Sequence, residues 1–407
     1  MTTELSNFAT RFREAILSEG RVPQGLDSEL PTPNSQLPSR DGGSCNSPLR
    51  DFNRLALELF ALQFKSNAAY RKICEARRLT PKVVENWMQI AAVPTSAFKE
   101  LDLTCLTPDE RTTVFHSSGT MEQKPSRHFH SPESLKLYEA SLLPWFLGNV
   151  PQNCGLRIAD CGLVILTPSP AQAPHSSLVH MFETVRQKLG AADTAFVGKL
   201  SDDGSWTLDF SAVVEALSPR RQTPDARPQL LLGTAFSLVH LLDFLAENNL
   251  RFDLPAGSRV METGGYKNRS RAMPQIELHQ LITERLGVPP SHIICEYGMS
   301  ELSSQAYENV TGDTWQVTRS GSASCHVSLV TRHFRFPPWT RVQIISPETG
   351  REVADGETGL IRVFDLANVF SVMAIQTEDL GIRRGDEFEL IGRVALAEAR
   401  GCSLMTI

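Results

Sequence analysis

Short apolar runs that end at tight turns recur through the middle of the sequence, and this pattern restricts its fold most. Four such runs occupy residues 163–166, 230–232, 260–261 and 293–295. A helical pattern with Leu278, Ile282 and Leu286 on one side separates the last two runs. Strand, turn, helix and strand in this order predict an α/β fold of layered mixed sheets with helices. Ligands in such folds bind beyond the carboxyl ends of the strands, where each run meets its turn.

The segments outside this region have different patterns. Apolar residues at helical spacing predict two amphipathic helices, one with Leu5, Phe8, Phe12 and Ile16 and one with Leu55, Leu59 and Leu62. Residues 20–50 are rich in Pro, Gly, Ser and Asn, which is typical of a linker or a long surface loop. From about Trp339 the pattern indicates a small antiparallel β region, with apolar runs at 342–345 and 360–364 around a turn at 347–350.

These boundaries predict three parts of the chain. The first, residues 1–50, is an N-terminal helix with a loose linker. Residues 51–385 form the core, and residues 386–407 form a short C-terminal segment.

Composition excludes several classes of function. A formal net charge of −6 and a pI near 6.0 argue against nucleic acid as the main partner, because phosphate neutralisation needs a basic surface. Residues 1–20 contain no apolar core of a signal peptide, and no apolar stretch is long enough to predict a membrane span. We therefore expect a cytoplasmic protein. None of the eight cysteines has a C-x-x-C neighbour, so free thiols are expected rather than a zinc site.

A hydroxyl-rich turn at Ser117-Ser118-Gly119-Thr120 is the first candidate binding element. It follows the apolar pair Val114-Phe115, so a strand is expected to lead into it. Backbone amides at a glycine turn, together with three hydroxyls, can surround the oxygens of a phosphate group. The same string is also compatible with an ordinary Ser/Gly turn.

The segment Tyr297-Gly298-Met299-Ser300-Glu301 is the second candidate, and it follows a strand that the sequence predicts to be buried. Tyr297 can pack against a purine base, and a hydroxyl such as that of Ser300 can meet phosphate. Glu301 can bind the Mg²⁺ that bridges phosphate oxygens. The alternative is a strand end that carries an exposed acid.

Five motifs in order resemble the core motifs of adenylate-forming enzymes. They are Ser-Ser-Gly-Thr at 117–120, Gly-Gly-Tyr-Lys at 264–267, Tyr-Gly-Met-Ser-Glu at 297–301, Gln-Thr-Glu-Asp at 376–379 and Ile-Gly-Arg at 391–393. The closer similarity is to the acyl-protein synthetase branch, the synthetase component of the fatty acid reductase that supplies aldehyde to bacterial luciferase. Segments 168–170, 174–178 and 400–404 also resemble that branch. The resemblance runs from about residue 50 to the C-terminus.

The resemblance implies a role for each matching position in binding ATP and Mg²⁺. The turn from Ser117 to Thr120 would hold the β- and γ-phosphates, Ser300 would meet the α-phosphate, and Glu301 would bind Mg²⁺. Gly264 and Gly265 would let the backbone approach the adenine, as glycine permits, and the Tyr297 ring would pack against the base. Asp379 and Arg393 would hydrogen-bond the ribose hydroxyls, and His175 would line the acyl pocket.

The sequence departs from the adenylate-forming pattern in two places. Residues 121–124, Met-Glu-Gln-Lys, replace the glycine that usually follows the phosphate turn. The sequence also ends at Ile407, soon after Arg393, so the C-terminal lid domain of the superfamily is expected to be largely absent. That domain carries a catalytic lysine in typical members, and Lys267 is the candidate to replace it.

The resemblance also assigns a role to Cys402, because a cysteine near the C-terminus of acyl-protein synthetases receives the acyl group as a thioester. A thiolate is a strong nucleophile, and the neighbouring Arg400 favours it. The implied reaction activates a fatty acid or related acid as acyl-AMP, transfers the acyl group to Cys402 and passes it to a reductase subunit. Two alternatives remain: a ligase that uses coenzyme A or another small thiol, and a protein that binds nucleotide without reacting.

Overall fold

The computed structural model describes residues 3–19, 49, 51–117, 124–150, 161–190, 194–202, 204–218, 227–266, 270–311 and 331–393. Within these ranges the helices are α1 (Thr3–Glu19), α2 (Phe52–Ser66), α3 (Ala68–Ala76), α4 (Ala97–Glu100), α5 (Pro132–Asn149), α6 (Ser177–Leu189), α7 (Phe210–Leu217), α8 (Ala235–Glu247) and α9 (Gln275–Leu286). The strands are β1 (Val93–Pro94), β2 (Thr113–His116), β3 (Arg127–His130), β4 (Gly162–Ile165), β5 (Thr194–Phe196), β6 (Gly198–Leu200), β7 (Trp206–Leu208), β8 (Gln229–Thr234), β9 (Arg259–Thr263), β10 (Ile293–Tyr297), β11 (Ala306–Thr311), β12 (Thr331–Arg335), β13 (Thr340–Ile345), β14 (Thr358–Asp365), β15 (Ala374–Arg384) and β16 (Glu387–Arg393).

Most of these strands form one mixed sheet in the order β13-β14-β15-β16-β12-β11-β10-β9-β8-β4-β5, and β1 pairs with β15. Within this sheet, β5, β4, β8, β9 and β10 are parallel to one another, and the pairs from β10 through β11, β12, β16, β15 and β14 to β13 are antiparallel. Register places Ile165, Leu232, Met261 and Ile294 side by side across the parallel half. The predicted α/β fold and the four predicted strands are confirmed.

Helices cover both faces of the parallel half, which explains why its strands read as continuous apolar runs. Leu231 and Val260 face a cluster with α7, α8 and α9. Leu230, Leu232 and Met261 face the opposite cluster with α5 and α6. Side chains alternate between faces along a strand, so the central positions of these strands are apolar in succession when both faces are buried.

The predicted N-terminal helix is confirmed, and its apolar side is buried. Leu5, Phe8, Phe12 and Ile16 of α1 join the core cluster that also contains residues of α2 and α3. The linker predicted at 20–50 lies almost wholly outside the described residues, so the division of the chain at residue 50 remains a prediction.

The second helical region is divided into α2 and α3 at Asn67. The Asn67 side chain accepts a hydrogen bond from the Tyr70 amide and so caps α3. It is fully buried, and its Nδ2 also donates to the Ser371 carbonyl 3.4 Å away. Asn67, at the break between the two helices, therefore connects the helical layer to the loop between β14 and β15.

The antiparallel strands predicted after Trp339 are present, and they continue the same sheet as the parallel strands. The turn predicted at 347–350 joins β13 toward β14, and Gly350 adopts a φ of +67° that favours glycine. Close strand packing also requires a glycine at 359, because a Cβ there would lie 2.6 Å from the Ile345 carbonyl oxygen.

Among the described helices, none combines the length and the apolar character that crossing a membrane would require. Cys74, Cys105 and Cys295 are free and buried, as expected for thiols used as small core residues. Burial raises the pKa of Cys74 to about 11 and that of Cys105 to about 12, so these thiols are poor nucleophiles.

The packing of α1 predicts that it stabilises the core. Replacing Phe8, whose ring stacks on Phe12 with centroids 5.7 Å apart, by alanine should lower the free energy of unfolding by about 3–5 kcal/mol. Leu17→Ala on the same helix is the control, because Leu17 is 47% exposed, and it should change stability by less than about 0.5 kcal/mol. Urea denaturation measures both; an equal effect of the two variants would show that α1 is not part of the cooperative core.

Candidate functional site

Ser117, at the start of the predicted phosphate turn, is connected to Glu301 through Ser126. Ser117 directly follows β2, and its hydroxyl accepts a hydrogen bond from the Ser126 amide at 3.0 Å. The Ser126 side chain, which is 1% exposed, lies beside the carboxyl group of Glu301 and lowers its pKa. That hydroxyl forms no normal hydrogen bond within the described part of the chain, so its approach to Glu301 is a looser contact. Ser118, Gly119 and Thr120 lie outside the described residues.

A hairpin of β2 and β3 holds the base of this turn. His116 pairs with Arg127 at the end of the hairpin next to the turn. His128, one residue further along β3, is buried, and its Nδ1 lies 2.7 Å from the Ser300 carbonyl oxygen. Burial lowers the pKa of His128 to about 4, so the ring is neutral near pH 7, and Nδ1 must carry the hydrogen because a carbonyl only accepts. This bond attaches the hairpin to the segment that contains Glu301.

Glu301 is a buried carboxyl group, only 4% exposed, rather than the exposed acid of the alternative interpretation. Burial raises its pKa, and Ser126, its own backbone amide and the cations Arg393 and Lys99 act in the opposite direction. A carboxylate that is held in place but incompletely neutralised by the protein can bind a cation such as Mg²⁺.

A polar clamp on the C-terminal side fixes the position of Glu301. Asp365 at the end of β14 accepts from the Ser303 amide at 2.8 Å and from the Ser304 hydroxyl at 2.7 Å. Asn368 donates to the Glu301 carbonyl at 2.8 Å and to the Val372 carbonyl. No sequence motif predicts this clamp. Polar side chains within the otherwise apolar stretch around residues 363–373 are the one sequence feature that indicates it.

Tyr297, Asp379 and Arg393 meet at the opposite end of the motif. The Tyr297 hydroxyl donates to Asp379 Oδ2 at 2.9 Å, and Arg393 Nε donates to Oδ1 at 3.2 Å. Asp379 and Arg393 are paired across β15 and β16, which places both side chains at one position of the sheet. Burial and the Asp379 charge raise the pKa of Tyr297, so its phenol remains protonated and acts as a hydrogen-bond donor.

The Tyr297 ring is buried among three phenylalanine rings in edge-on contacts, with centroids 5.4–6.2 Å away: Phe334, Phe336 and Phe388. Met299 is half-buried and packs against the same core cluster, and Ser300 is buried. The structure therefore brings Tyr297, Ser300, Glu301, Asp379 and Arg393 into one region, whereas their individual roles toward a nucleotide remain predictions.

The glycines predicted to face adenine leave open space. Gly264 has a φ of +68°, and no described atom lies within 4 Å of a Cβ built on Gly264 or Gly265. Gly298 is different, because its missing side chain leaves room for the carboxyl group of Glu296. Glu296 also accepts a hydrogen bond from the Thr263 hydroxyl, which links the ends of β9 and β10. The segments that precede Gly264 and Gly298 are thus tied together.

His175 lies next to the strand that leads into the phosphate turn. Its exposed ring stacks on that of His116 with centroids 5.0 Å apart, and its Nδ1 lies 3.2 Å from the Val114 carbonyl oxygen. The His175 carbonyl also accepts from the His116 amide at 2.9 Å. Its predicted role in the acyl pocket stays a prediction. Lys267 and Cys402 lie outside the described residues.

Comparison with solved structures identifies the class of fold. An open 2-hydroxyisobutyryl-CoA ligase in complex with 2-HIB-AMP and CoA superposes with a TM-score of 0.60 at 14% identity, covering 90% of this chain and 75% of that chain. The postadenylation state of that ligase, in complex with 2-HIB-AMP, gives the same TM-score and covers 72% of that chain. At this identity the likeness defines the fold alone, which is that of the adenylate-forming ligases, as predicted.

Sequence comparison identifies the family. Residues 44–406 match the family described as "Acyl-protein synthetase, LuxE". Two curated relatives are long-chain-fatty-acid–luciferin-component ligases, from Vibrio harveyi (24% identical over 368 residues) and from Aliivibrio fischeri (24% over 371 residues). Each comparison covers 86% of this chain and 86% of the relative. The chain belongs to the acyl-protein synthetase family and is a ligase.

The residues present fit the magnesium nucleotide that this fold class implies. Glu301 supplies a buried carboxylate next to the Ser126 hydroxyl, which has no normal hydrogen bond among the described residues. Both are oxygen groups of the kind that Mg²⁺ and its waters prefer. The open face over Gly264 and Gly265 has room for a base, and Asp379 can accept from ribose hydroxyls. Gly264 and Glu301 follow the neighbouring parallel strands β9 and β10, and Asp379 on β15 is bonded to Tyr297 at the end of β10.

Glu296 gives a pH-dependent prediction for stability. Burial raises its pKa to about 7 from 4.5, so the folded protein binds a proton more tightly than the unfolded chain. The resulting stabilisation is present below about pH 4.5 and is lost as pH rises through 7. Relative to wild type, Glu296→Gln should therefore gain on the order of 2–3 kcal/mol in free energy of unfolding between pH 5 and pH 8.

Urea denaturation at the two pH values measures this difference. Glu348→Gln removes a charge from an exposed turn and controls for the change in net charge. A constant difference between Glu296→Gln and wild type at both pH values would contradict the raised pKa.

Proposed function

We propose that this protein activates a fatty acid or a related carboxylic acid with MgATP and transfers the acyl group to its own Cys402. One observation carries the proposal: the buried Glu301 carboxyl group lies beside Ser126, which is bonded to Ser117 at the start of the phosphate turn. A metal-binding acid and a phosphate-binding turn in contact are the parts that adenylation requires. Family membership supports a fatty acid as the class of substrate.

In the first step, a carboxylate oxygen of the acid attacks the α-phosphorus of ATP, and the bond from that phosphorus to the β-phosphate bridge oxygen breaks. The products are acyl-AMP and pyrophosphate. Asp379, oriented by Tyr297, holds the ribose, and Ser117 begins the turn that holds the β- and γ-phosphates. Glu301 would hold Mg²⁺, which would neutralise charge on the phosphates when bound. The contribution of the protein is positioning and electrostatic stabilisation.

In the second step, the thiolate of Cys402 attacks the carbonyl carbon of acyl-AMP, and AMP leaves with the bonding electrons. The thiol proton is lost to solvent, and the acyl group becomes a thioester. The acyl group then passes to a reductase subunit, which would reduce the thioester. The cytoplasm suits this sequence of steps because Cys402 remains a free thiol there.

Glu301→Gln tests the metal assignment. This change should lower acid-dependent exchange of labelled pyrophosphate into ATP by on the order of 10²-fold or more, because the neutral amide is a weak ligand for Mg²⁺. Glu348→Gln, at an exposed turn, is the matched control and should exchange like wild type. Thermal unfolding should show that Glu301→Gln remains folded, since it replaces a buried acid whose charged form burial disfavours. Exchange at the wild-type rate in a folded Glu301→Gln protein would refute the role of Glu301.

Cys402→Ser tests the acyl acceptor. After incubation with MgATP and a fatty acid, intact mass should show an adduct of one acyl group that hydroxylamine removes and that Cys402→Ser lacks. Pyrophosphate exchange should persist in this variant, because the first step does not need the thiol. Adduct-free turnover that depends on coenzyme A would support the small-thiol ligase instead. Absence of exchange with any acid would support a protein that binds nucleotide without reacting.

A further inference from the structure

The loop that joins β14 to β15, residues 366–373, is buried along its whole length. Buried backbone groups outside a helix or a sheet need hydrogen-bond partners, so such a loop stays where other elements supply them. This loop carries Asn368, whose side chain donates to the Glu301 carbonyl at 2.8 Å. The elements that hold Asn368 in place therefore also hold the backbone of Glu301.

Gln63 on α2 makes three hydrogen bonds to this loop. Its Nε2 donates to the Asn368 carbonyl at 2.8 Å and to the Val369 carbonyl at 3.0 Å, and its Oε1 accepts from the Met373 amide at 3.1 Å. The Gln63 side chain is fully buried. Because a carbonyl only accepts and an amide N–H only donates, a single orientation of the Gln63 amide satisfies all three groups.

Two hydrogen bonds in series thus lead from α2 to the backbone of Glu301. The first joins Gln63 to the main-chain carbonyl of Asn368, and the second joins the Asn368 side chain to the Glu301 carbonyl. Asn368 Nδ2 also donates to the Val372 carbonyl at 2.9 Å, and its Oδ1 accepts from the Ser303 hydroxyl at 3.3 Å. Since both polar atoms of this side chain are engaged, a shift of the Asn368 backbone would also shift Glu301.

Other contacts hold the later part of the loop. The Ser371 hydroxyl donates to the Leu103 carbonyl at 2.7 Å, and the Cys105 amide donates to the Phe370 carbonyl at 2.8 Å. These bonds keep residues 370 and 371 attached to the segment before β2 whether or not α2 contributes. Loss of the α2 contact should therefore loosen the part of the loop around Asn368 and leave the rest folded.

We propose that Gln63 is a positioning residue for Glu301 and acts on it through Asn368. This inference rests on the proposed function, in which Glu301 holds Mg²⁺, and extends it to a helix outside all five motifs. Residues 298–305 lie between β10 and β11 and belong to neither strand, so their position depends on side-chain partners. Gln63 keeps the Glu301 carboxyl group where a metal ion can meet it, and it contacts neither substrate nor metal itself.

Hydrogen exchange of backbone amides tests this connection in the full-length protein without any assay of activity. Gln63→Met keeps a side chain of similar length and removes all three bonds. Peptides that cover residues 298–305 should exchange about 10-fold faster in this variant, because the segment opens locally more often.

Gln229→Met is the matched control. Gln229 is also buried, and its amide also donates to a backbone carbonyl, that of Ala216 at 3.3 Å. It begins β8, whose opposite end at Thr234 is paired with Thr263 next to Gly264. Gln229→Met should therefore leave hydrogen exchange at residues 298–305 as in wild type.

Metal affinity is the second measurement, with Mn²⁺ as the probe. Electron paramagnetic resonance should follow the free ion as Mn²⁺ is added to the protein with α,β-methylene-ATP. Gln63→Met should weaken Mn²⁺ binding by about 5-fold or more, because outer partners orient a metal ligand. Affinity for adenosine, measured by isothermal titration without metal, should change by less than about 2-fold, since adenosine does not depend on Glu301. Gln229→Met should match wild type in both measurements.

A double variant shows whether the effect passes through Asn368. Asn368→Ala removes the second bond of the series, so it should itself speed hydrogen exchange at 298–305 and weaken Mn²⁺ binding. Adding Gln63→Met should then change both quantities little, because the connection is already broken. Effects that add in full would overturn the proposal. So would wild-type hydrogen exchange and Mn²⁺ affinity in a folded Gln63→Met protein, or the same changes in Gln229→Met.

If Gln63→Met does not fold, Gln63→Glu decides the question. This variant keeps an acceptor for the Met373 amide and loses at least one of the two donated bonds. It should still speed hydrogen exchange at residues 298–305, and unchanged exchange there would overturn the proposal.

The failure of this inference and that of the proposed function give different results. Faster hydrogen exchange and weaker Mn²⁺ binding in Gln63→Met, in a protein that incorporates no pyrophosphate into ATP with any acid, would retain the role of Gln63 and refute acid activation. Pyrophosphate incorporation by Gln63→Met at the wild-type rate under limiting Mg²⁺ would retain acid activation and refute the role of Gln63. A wild-type protein that binds no Mn²⁺ in the presence of the nucleotide would refute both.

Discussion

The buried carboxylate of Asp365 holds the site together. It has no exposed surface, and it accepts hydrogen bonds from the amides of Ser303 and Ala367 and from the hydroxyl of Ser304. Burial raises its pKa, and these donors lower it. An isolated buried carboxylate would be very unfavourable, so the segment after Glu301 must stay where it can donate. The position of Glu301 therefore follows from a requirement to satisfy a buried charge at the end of β14.

The polar residues of the site are concentrated where the parallel and antiparallel halves of the sheet meet. β10 is the last parallel strand, and β11 returns antiparallel to it. The residues between Tyr297 and Ala306 are not paired with a neighbouring strand, so their backbone groups need side-chain partners. His128, Asp365 and Asn368 supply such partners. The nucleotide site proposed at this change of direction would use the same buried polar groups that the reversal of the chain requires.

The sequence predicted helices and strands, because their patterns lie in neighbouring residues. It did not predict the contacts between distant elements. The strand at Leu230–Leu232 and the helix with Phe8 and Phe12 were predictable, because burial imposes a periodic pattern on neighbouring residues. The bond from His128 to Ser300 and the clamp from Asp365 were not, since nothing in one sequence shows which distant segments meet. Family resemblance pointed to Glu301 but not to Asp365 or Asn368, which lie outside all five motifs and fix the segment around Glu301 through their hydrogen bonds.

Tyr297 illustrates how one side chain can serve both the core and the site. Its ring fills the space among three phenylalanines, which fixes the direction of its hydroxyl. That hydroxyl is directed to one oxygen of Asp379, and Arg393 binds the other. The Asp379 side chain is 13% exposed and that of Arg393 is 72% exposed, so the pair is buried on the Tyr297 side and open on the other. In the proposed function, a ribose reaches Asp379 by displacing the exposed guanidinium contact, whereas the Tyr297 bond stays in place and preserves the orientation of the carboxylate. The rigid part of the proposed ribose site is thus an extension of the hydrophobic core, and its exposed side at Arg393 is the part that would adapt to the ligand.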